Sequence, residues 1–178
     1  PIVAKLRDGV VRALGLIPSV KRYFLEMRFK PMPRYKEGAL VYGSGFKANS
    51  AVGRMFIQPQ VQTTSGTVRL DDVLGDSFTL LAWGTDPSRW LGERGRHFVE
   101  KLGVKIVSAV PLTQMEHERE RSDITIIGDT QGRLKTWFGL QNKAIILLRP
   151  DRFVAAICTP QELPETLEAF RKAAAITD

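Results

Sequence analysis

The stretch that most constrains this 178-residue chain is Ala144–Ala156, AIILLRPDRFVAA. Two apolar runs meet at Arg149-Pro150-Asp151-Arg152. Pro150 presets φ for the first central position of a turn, and the Asp151 carboxylate can bond its own backbone. Ile145-Ile146-Leu147-Leu148 is apolar without alternation, as in a strand covered on both faces. The second run, Phe153 to Ile157, is less bulky. The pattern predicts a β-hairpin at the centre of a sheet. After Thr159-Pro160-Gln161-Glu162-Leu163-Pro164 a helix is expected to about residue 174, with Leu163, Leu167 and Phe170 on one stripe.

Taken from its start, the chain opens with two amphipathic segments. Val3, Leu6, Val10, Leu14 and Ile17 recur at helical spacing until Pro18, and Tyr23, Phe24 and Met27 mark a second short helix over 20–28. Residues 29–66 are punctuated by Pro and Gly and read as irregular connection, with short strand pairs near 55–57 and 61–63. Then the pattern sharpens. Strands are expected at 67–70, 77–83, 104–110 and 123–127, with a turn at 71–75. A helix follows Asp86-Pro87, the first as N-cap and the second at the first helical position, and Gly103 closes it. Residues 111–122 read as a charged surface excursion, and 131–138 as a short helix.

This order predicts an α/β sandwich with a mixed central sheet flanked by helices. It is similar to a thioredoxin-like domain, which also ends in a hairpin and a helix. The division expected is a helical segment and linker over 1–45, then the sheet domain over 46–178.

The net charge of +7 is uneven. Residues 1–54 carry eleven Lys or Arg against three acids, and the remainder fifteen against sixteen. The basic character therefore belongs to the N-terminal segment. Its amphipathic helices match no nucleic-acid module, and fit better a joint to an acidic partner or to a longer chain. Pro1 stands where an initiator Met would, so the chain reads as a piece of something longer. No apolar run approaches the ~20 residues that cross a bilayer, and no signal peptide is visible. With the one cysteine, Cys158, no disulfide can staple the fold, which fits a reducing cytoplasm.

Chemistry is harder to find. Thioredoxins and peroxiredoxins keep their thiols where a strand turns into a helix, because a helix N-terminus lowers a cysteine pKa. Here that place reads Trp83-Gly84-Thr85-Asp86-Pro87-Ser88-Arg89-Trp90, without cysteine. The proline expected before the hairpin's first strand is replaced by Gln141-Asn142-Lys143-Ala144. Cys158 reads as a small buried hydrophobe, and His97 as a solvated or satisfied helix residue. His117 sits in a charged loop without enough neighbouring ligands for a metal. Asp71-Asp72 is read as turn chemistry. Trp83, Trp90 and Trp137 suit packing better than a binding surface. No GxGxxG loop occurs. No catalytic, cofactor-binding or metal-ligating residue is assigned.

The pair of stretches Arg69-Leu70-Asp71-Asp72-Val73-Leu74-Gly75-Asp76-Ser77-Phe78-Thr79-Leu80-Leu81 and Leu148-Arg149-Pro150-Asp151-Arg152-Phe153-Val154-Ala155 resembles the C-terminal region of FAD-dependent aromatic ring hydroxylases. The nearest type is 3-(3-hydroxyphenyl)propionate hydroxylase, whose C-terminal part also holds a segment like Met27–Tyr35. The resemblance implies a thioredoxin-like domain without redox cysteines, serving packing or dimerisation. It implies a parent in which NADH or NADPH reduces FAD and the flavin hydroxylates a phenolic ring. The flavin-binding motifs of that family lie upstream, so this chain is expected to hold no FAD itself. Its partners would be the FAD and substrate domains of the same polypeptide, with no nucleic acid or membrane. Arg152 stands where the family often has Gly, which implies a different turn. A stand-alone, thiol-less thioredoxin-like binding or assembly protein is the alternative.

Overall fold

The computed structural model describes residues 33–42, 50–115, 123–142 and 144–177. The amphipathic helices expected over 2–28, and His117, lie outside the described residues.

The hairpin of β1 (Gln60–Thr63) and β2 (Gly66–Arg69) runs into α1 (Leu70–Leu74). Next come β3 (Thr79–Trp83), a 3-10 turn (Pro87–Trp90), α2 (Gly92–Lys101) and β4 (Lys105–Pro111). Then follow α3 (Leu112–Met115), β5 (Thr125–Asp129) and α4 (Arg133–Gln141). The chain ends in β6 (Ile145–Leu148), β7 (Val154–Cys158) and α5 (Leu163–Ala173). The seven strands form one sheet in the order β2-β1-β5-β4-β3-β6-β7. β3, β4 and β5 run parallel, while β6 pairs antiparallel with β3. The α/β sandwich with a mixed sheet is therefore present. Two short helices depart from the sequence pattern: residues 70–74 are helical where a strand end and turn are expected, and 112–115 where a charged surface excursion is expected.

Alternation along each strand divides the core. Leu81, Val107, Ala109, Ile146 and Leu148 face one side, where α1 and α4 bring Leu70, Leu74, Leu134 and Phe138. Leu80, Ala82, Ile106, Ile145 and Leu147 face the other, under α2 and α5 with Phe98, Leu163, Leu167 and Phe170. Full burial of each Leu or Phe stabilises by roughly 1.5–3 kcal/mol. This double cover explains why β6 reads as an unbroken apolar run.

The hairpin at residues 145–158 forms as expected, but not at the centre of the sheet. β7 is the last strand of the ladder. It reads as a central strand because chain from far upstream covers its outer edge. Gly53 N–H donates to Val154 O (2.8 Å), Val154 N–H to Arg54 O (3.0 Å), Phe56 N–H to Arg152 O (2.8 Å) and Val41 N–H to Ala155 O (2.8 Å). Residues 34–42 and 50–56 thus strap the edge and satisfy backbone groups that would otherwise invite another strand. Leu40, Val52 and Phe56 fasten the strap by burying their side chains in the core. Ala155 is the extra residue of a bulge, since Leu147 pairs with Ala156 and Leu148 with Val154.

At the hairpin turn, Arg152 N–H donates to Arg149 O (2.9 Å). Arg152 itself has φ +68°, the left-handed region that glycine enters freely. The turn expected to differ therefore keeps the backbone a glycine would give. Arginine bears the strain, about 1 kcal/mol, and its side chain finds partners described below.

Candidate functional site

The place to look for chemistry is the exit of β3, where related folds carry thiols. Gly84 turns the chain with φ +63° and donates its N–H to Ala109 O of β4 (2.8 Å). Ser108 Oγ donates to Thr85 O (3.0 Å), so β4 pins the loop from both sides. Asp86 then caps the 3-10 turn. Its Oδ1 accepts from Ser88 N–H (2.9 Å) and Ser88 Oγ (2.6 Å), and Arg89 Nε lies 3.4 Å from Oδ2. The sequence placed Asp86 as N-cap and Pro87 as first helical residue, and both hold for this turn. The α-helix starts only at Gly92, whose φ of +63° breaks the 3-10 turn from α2. A carboxylate engaged by backbone and cation thus stands where a thiolate would. It supplies neither a nucleophile nor an electron pair for disulfide exchange.

Cys158 lies elsewhere. It pairs with Ile145, which in turn sits beside Ala82, so the thiol is two strands away from β3. It is 2% exposed under α5. The reading of Cys158 as a small buried hydrophobe agrees with this packing. His97 is exposed on α2. Asp71 and Asp72 sit in the first turn of α1, where acidic groups suit the helix dipole. Trp83 stacks on Phe138 (6.4 Å between ring centroids) and Trp137 meets Phe56 edge-on (4.7 Å), whereas Trp90 is 39% exposed.

A groove of about 1090 Å³ runs between α2 and α5, floored by Leu91, Phe98 and Leu167. Several of its charges are engaged locally. Arg171 makes two 3.0 Å bonds to Glu168, and Lys172 approaches the same carboxylate at 3.6 Å. These bonds, those of Arg171 first, hold the Glu168 carboxyl below its ordinary value of 4.5. Lys101 Nζ donates to Thr177 O (2.7 Å), and Arg171 Nη1 to Ile176 O (3.0 Å), so the groove holds Ile176 and Thr177. Among the described residues, no three His, Cys, Asp or Glu gather to hold a metal, and no helix is long and apolar enough to cross a membrane.

The two stretches that carry the family resemblance meet in space. Arg152 Nε donates to Asp71 Oδ1 (2.6 Å), and Lys105 Nζ donates to Val73 O of the same short helix. These contacts lock α1 to the hairpin turn and to β4.

Comparison with known proteins places this geometry. The chain is 48% identical over 167 residues to a 3-(3-hydroxy-phenyl)propionate/3-hydroxycinnamic acid hydroxylase of Klebsiella pneumoniae, matching 93% of this chain and 30% of that protein. The Mycobacterium avium protein of the same name is 41% identical over 177 residues, 98% of this chain and 30% of its own length. The chain therefore spans about 30% of the curated relatives it matches. Among solved structures, the flavin-dependent monooxygenase PieE, in complex with FAD and substrate, superposes with a TM-score of 0.57 at 20% identity, over 81% of this chain and 25% of that one. A thioredoxin-like protein from Bacteroides caccae superposes with a TM-score of 0.51 at 16% identity, over 66% of this chain and 49% of that one. At these identities the two superpositions establish the fold, and it is the thioredoxin-like one. The model of the HcaD C-terminal domain family matches residues 53–173, most of the described sheet unit, and the chain belongs to that family.

Proposed function

We propose that this chain is the non-catalytic C-terminal domain of an FAD- and NAD(P)H-dependent monooxygenase that hydroxylates phenolic aromatic compounds in the cytoplasm. Its work is architectural: it packs against the FAD and substrate domains of the same polypeptide, and serves as a surface for dimerisation. The observation that carries this reading is the 48% identity across 93% of the chain to a hydroxylase of which the match is only 30%.

The chemistry of the described residues supports the non-catalytic part. A flavin's diphosphate seeks an open helix N-terminus or a glycine-rich loop. The N-terminus of α4 is filled instead by the buried Asp129, whose carboxylate accepts from Arg133 N–H (3.1 Å) and Lys135 N–H (2.9 Å). A phosphate there would meet a fixed negative charge. The first turn of α2 carries Glu93. These two helix ends do not suit an FAD diphosphate. When bound to the parent, the flavin supplies the oxygen chemistry. This domain supplies a rigid body, with Asp86 in place of a thiol and Cys158 sealed from solvent.

The test is the intact mass and visible spectrum of the native gene product. A yellow protein several times heavier than 19.9 kDa is expected. A colourless product of that mass would remove the monooxygenase reading and leave a thiol-less partner-binding domain.

A further inference from the structure

The end of α5 is closed by a crossed pair of backbone bonds. Ala175 N–H donates to Lys172 O (3.1 Å) and Ile176 N–H to Arg171 O (3.0 Å), which satisfies two of the helix's last carbonyls. That closure needs a left-handed residue, usually glycine, and here Ala175 takes the position with φ +52°. Alanine is strained there. Helix ends fray readily, so a strained one needs further support. Two cationic side chains give it. Arg171 Nη1 donates to Ile176 O (3.0 Å), and Lys101 Nζ, from α2, donates to Thr177 O (2.7 Å). The Arg171 fork is itself fixed, because Nε and Nη2 each bond Glu168 at 3.0 Å. Its remaining nitrogen is thereby aimed at the Ile176 carbonyl. Between these two bonds the Ile176 side chain is half-buried and packs against the core that holds Phe98 and Leu167. With Leu102 it lines the groove between α2 and α5. Earlier on α2, Gly95 lets the two helices touch directly, for a Cβ there would lie 3.3 Å from Leu91 Cβ and 3.4 Å from Leu167 Cδ1. Towards Lys101 the same helices are joined through Ile176 and Thr177 instead.

We propose that residues 174–177 form a two-state clasp, an autoinhibitory contact in which Ile176 occupies the Leu102 end of the groove and any other apolar guest must first displace it. Two opposed effects set the balance. The left-handed strain at Ala175 favours release, and the bonds from Lys101 and Arg171 favour closure. An element poised between effects of similar size is one that a modest differential interaction can switch. The Lys101 bond is open to water, which competes for both of its partners, so it is the first to break. Once it breaks, α5 keeps its own Arg171 contact but loses its tie to α2, and the groove floor at Phe98 and Leu102 becomes accessible.

The experiment follows backbone hydrogen exchange over residues 171–177 in the full-length protein, together with fluorescence of the apolar probe anilinonaphthalene sulfonate. Lys101→Met keeps the apolar stem and removes the ammonium. It is expected to speed exchange of the Ala175 and Ile176 amides about tenfold while β4 stays protected. Ala175→Gly relieves the strain and is expected to slow the same two amides about fivefold. The opposite signs distinguish a clasp from a helix end that merely frays. Ile176→Ser empties the groove end and is expected to raise probe fluorescence about twofold. Unchanged exchange in Lys101→Met shows that α2 does not hold the segment and overturns the clasp. Faster exchange in Ala175→Gly overturns it as well, because an unstrained end has no bias towards release. Unchanged fluorescence in Ile176→Ser overturns the occupancy of the groove by Ile176.

Discussion

Arg152 and Asp71, 81 positions apart, join side chain to side chain: Nε donates to Oδ1 at 2.6 Å, and Nη2 reaches the Asp71 carbonyl at 3.5 Å. The pair is partly shielded, with the arginine side chain at 16% and the carboxylate at 39% exposure. It explains why a left-handed turn position tolerates arginine. The strained backbone aims the guanidinium at α1, and Nη1 returns to Pro150 O at 3.0 Å.

Two opposing effects act at that position. Glycine would relieve about 1 kcal/mol of left-handed strain and lose an ion pair worth about 0.5–1 kcal/mol. Arg152→Gly is therefore expected to be nearly neutral in urea unfolding. Arg152→Ala, which loses the pair and keeps the strain, is expected to be about 1 kcal/mol less stable than Arg152→Gly. Equal stability of the two variants would show that the turn is not strained. A double-mutant cycle with Asp71→Ala isolates the pair itself.

Thr79 is fully buried on β3, and its Oγ1 has no hydrogen-bond partner among the described residues. An unsatisfied buried hydroxyl is a liability of roughly 1–3 kcal/mol. Thr79→Val keeps the shape and removes it, so the variant is expected to gain about 1 kcal/mol in thermal unfolding. A loss of stability would reveal a partner for the hydroxyl, such as an internal water.

Gly53 carries the strap. Its φ is +77°, and a Cβ there would stand 2.0 Å from Tyr35 O. Gly53→Ala must move backbone, and should cost about 3 kcal/mol or more. Hydrogen exchange gives the specific signature: the amides of Val154 and Phe56, bonded across the strap, are expected to exchange faster while those of β4 stay protected.

The Glu168 carboxyl titrates below its ordinary value of 4.5 because Arg171 and Lys172 favour its charged form. A depressed pKa contributes stability that is fully present above the unfolded value and is lost as pH falls through the folded value. Glu168→Gln is thus expected to lower the melting temperature slightly at neutral pH. The difference should fade once the pH drops below 4.5. A difference that persists in acid would assign the effect to packing.

How much of this was legible depended on the kind of signal. The hairpin, the strands around Leu80, Val107 and Ile126, and the stripe of α5 follow from apolar periodicity, because each element buries a regular face. The hairpin's position in the sheet did not follow, since Val154–Cys158 is buried by a strap with no periodicity of its own. Residues 34–42 and 50–56 act through backbone bonds, and backbone bonds leave no side-chain pattern to read. The short helix at 70–74 hid behind Asp71-Asp72, a pair equally suited to a turn. At the candidate site, the missing thiol and the Asp86 cap were plain in the sequence. The pairing of Asp71 with Arg152 was not, because local reading has no access to contacts between distant positions.

The sealed edge of β7 also sets an order of assembly. Val41 and Gly53 bond to residues made about a hundred positions later on the ribosome, and contacts of such separation form slowly. The strap has nothing to hold until the hairpin emerges. The sheet unit is thus expected to finish folding only when nearly all of its chain has been made, and a nascent chain halted before Arg152 should remain sensitive to protease throughout residues 34–56.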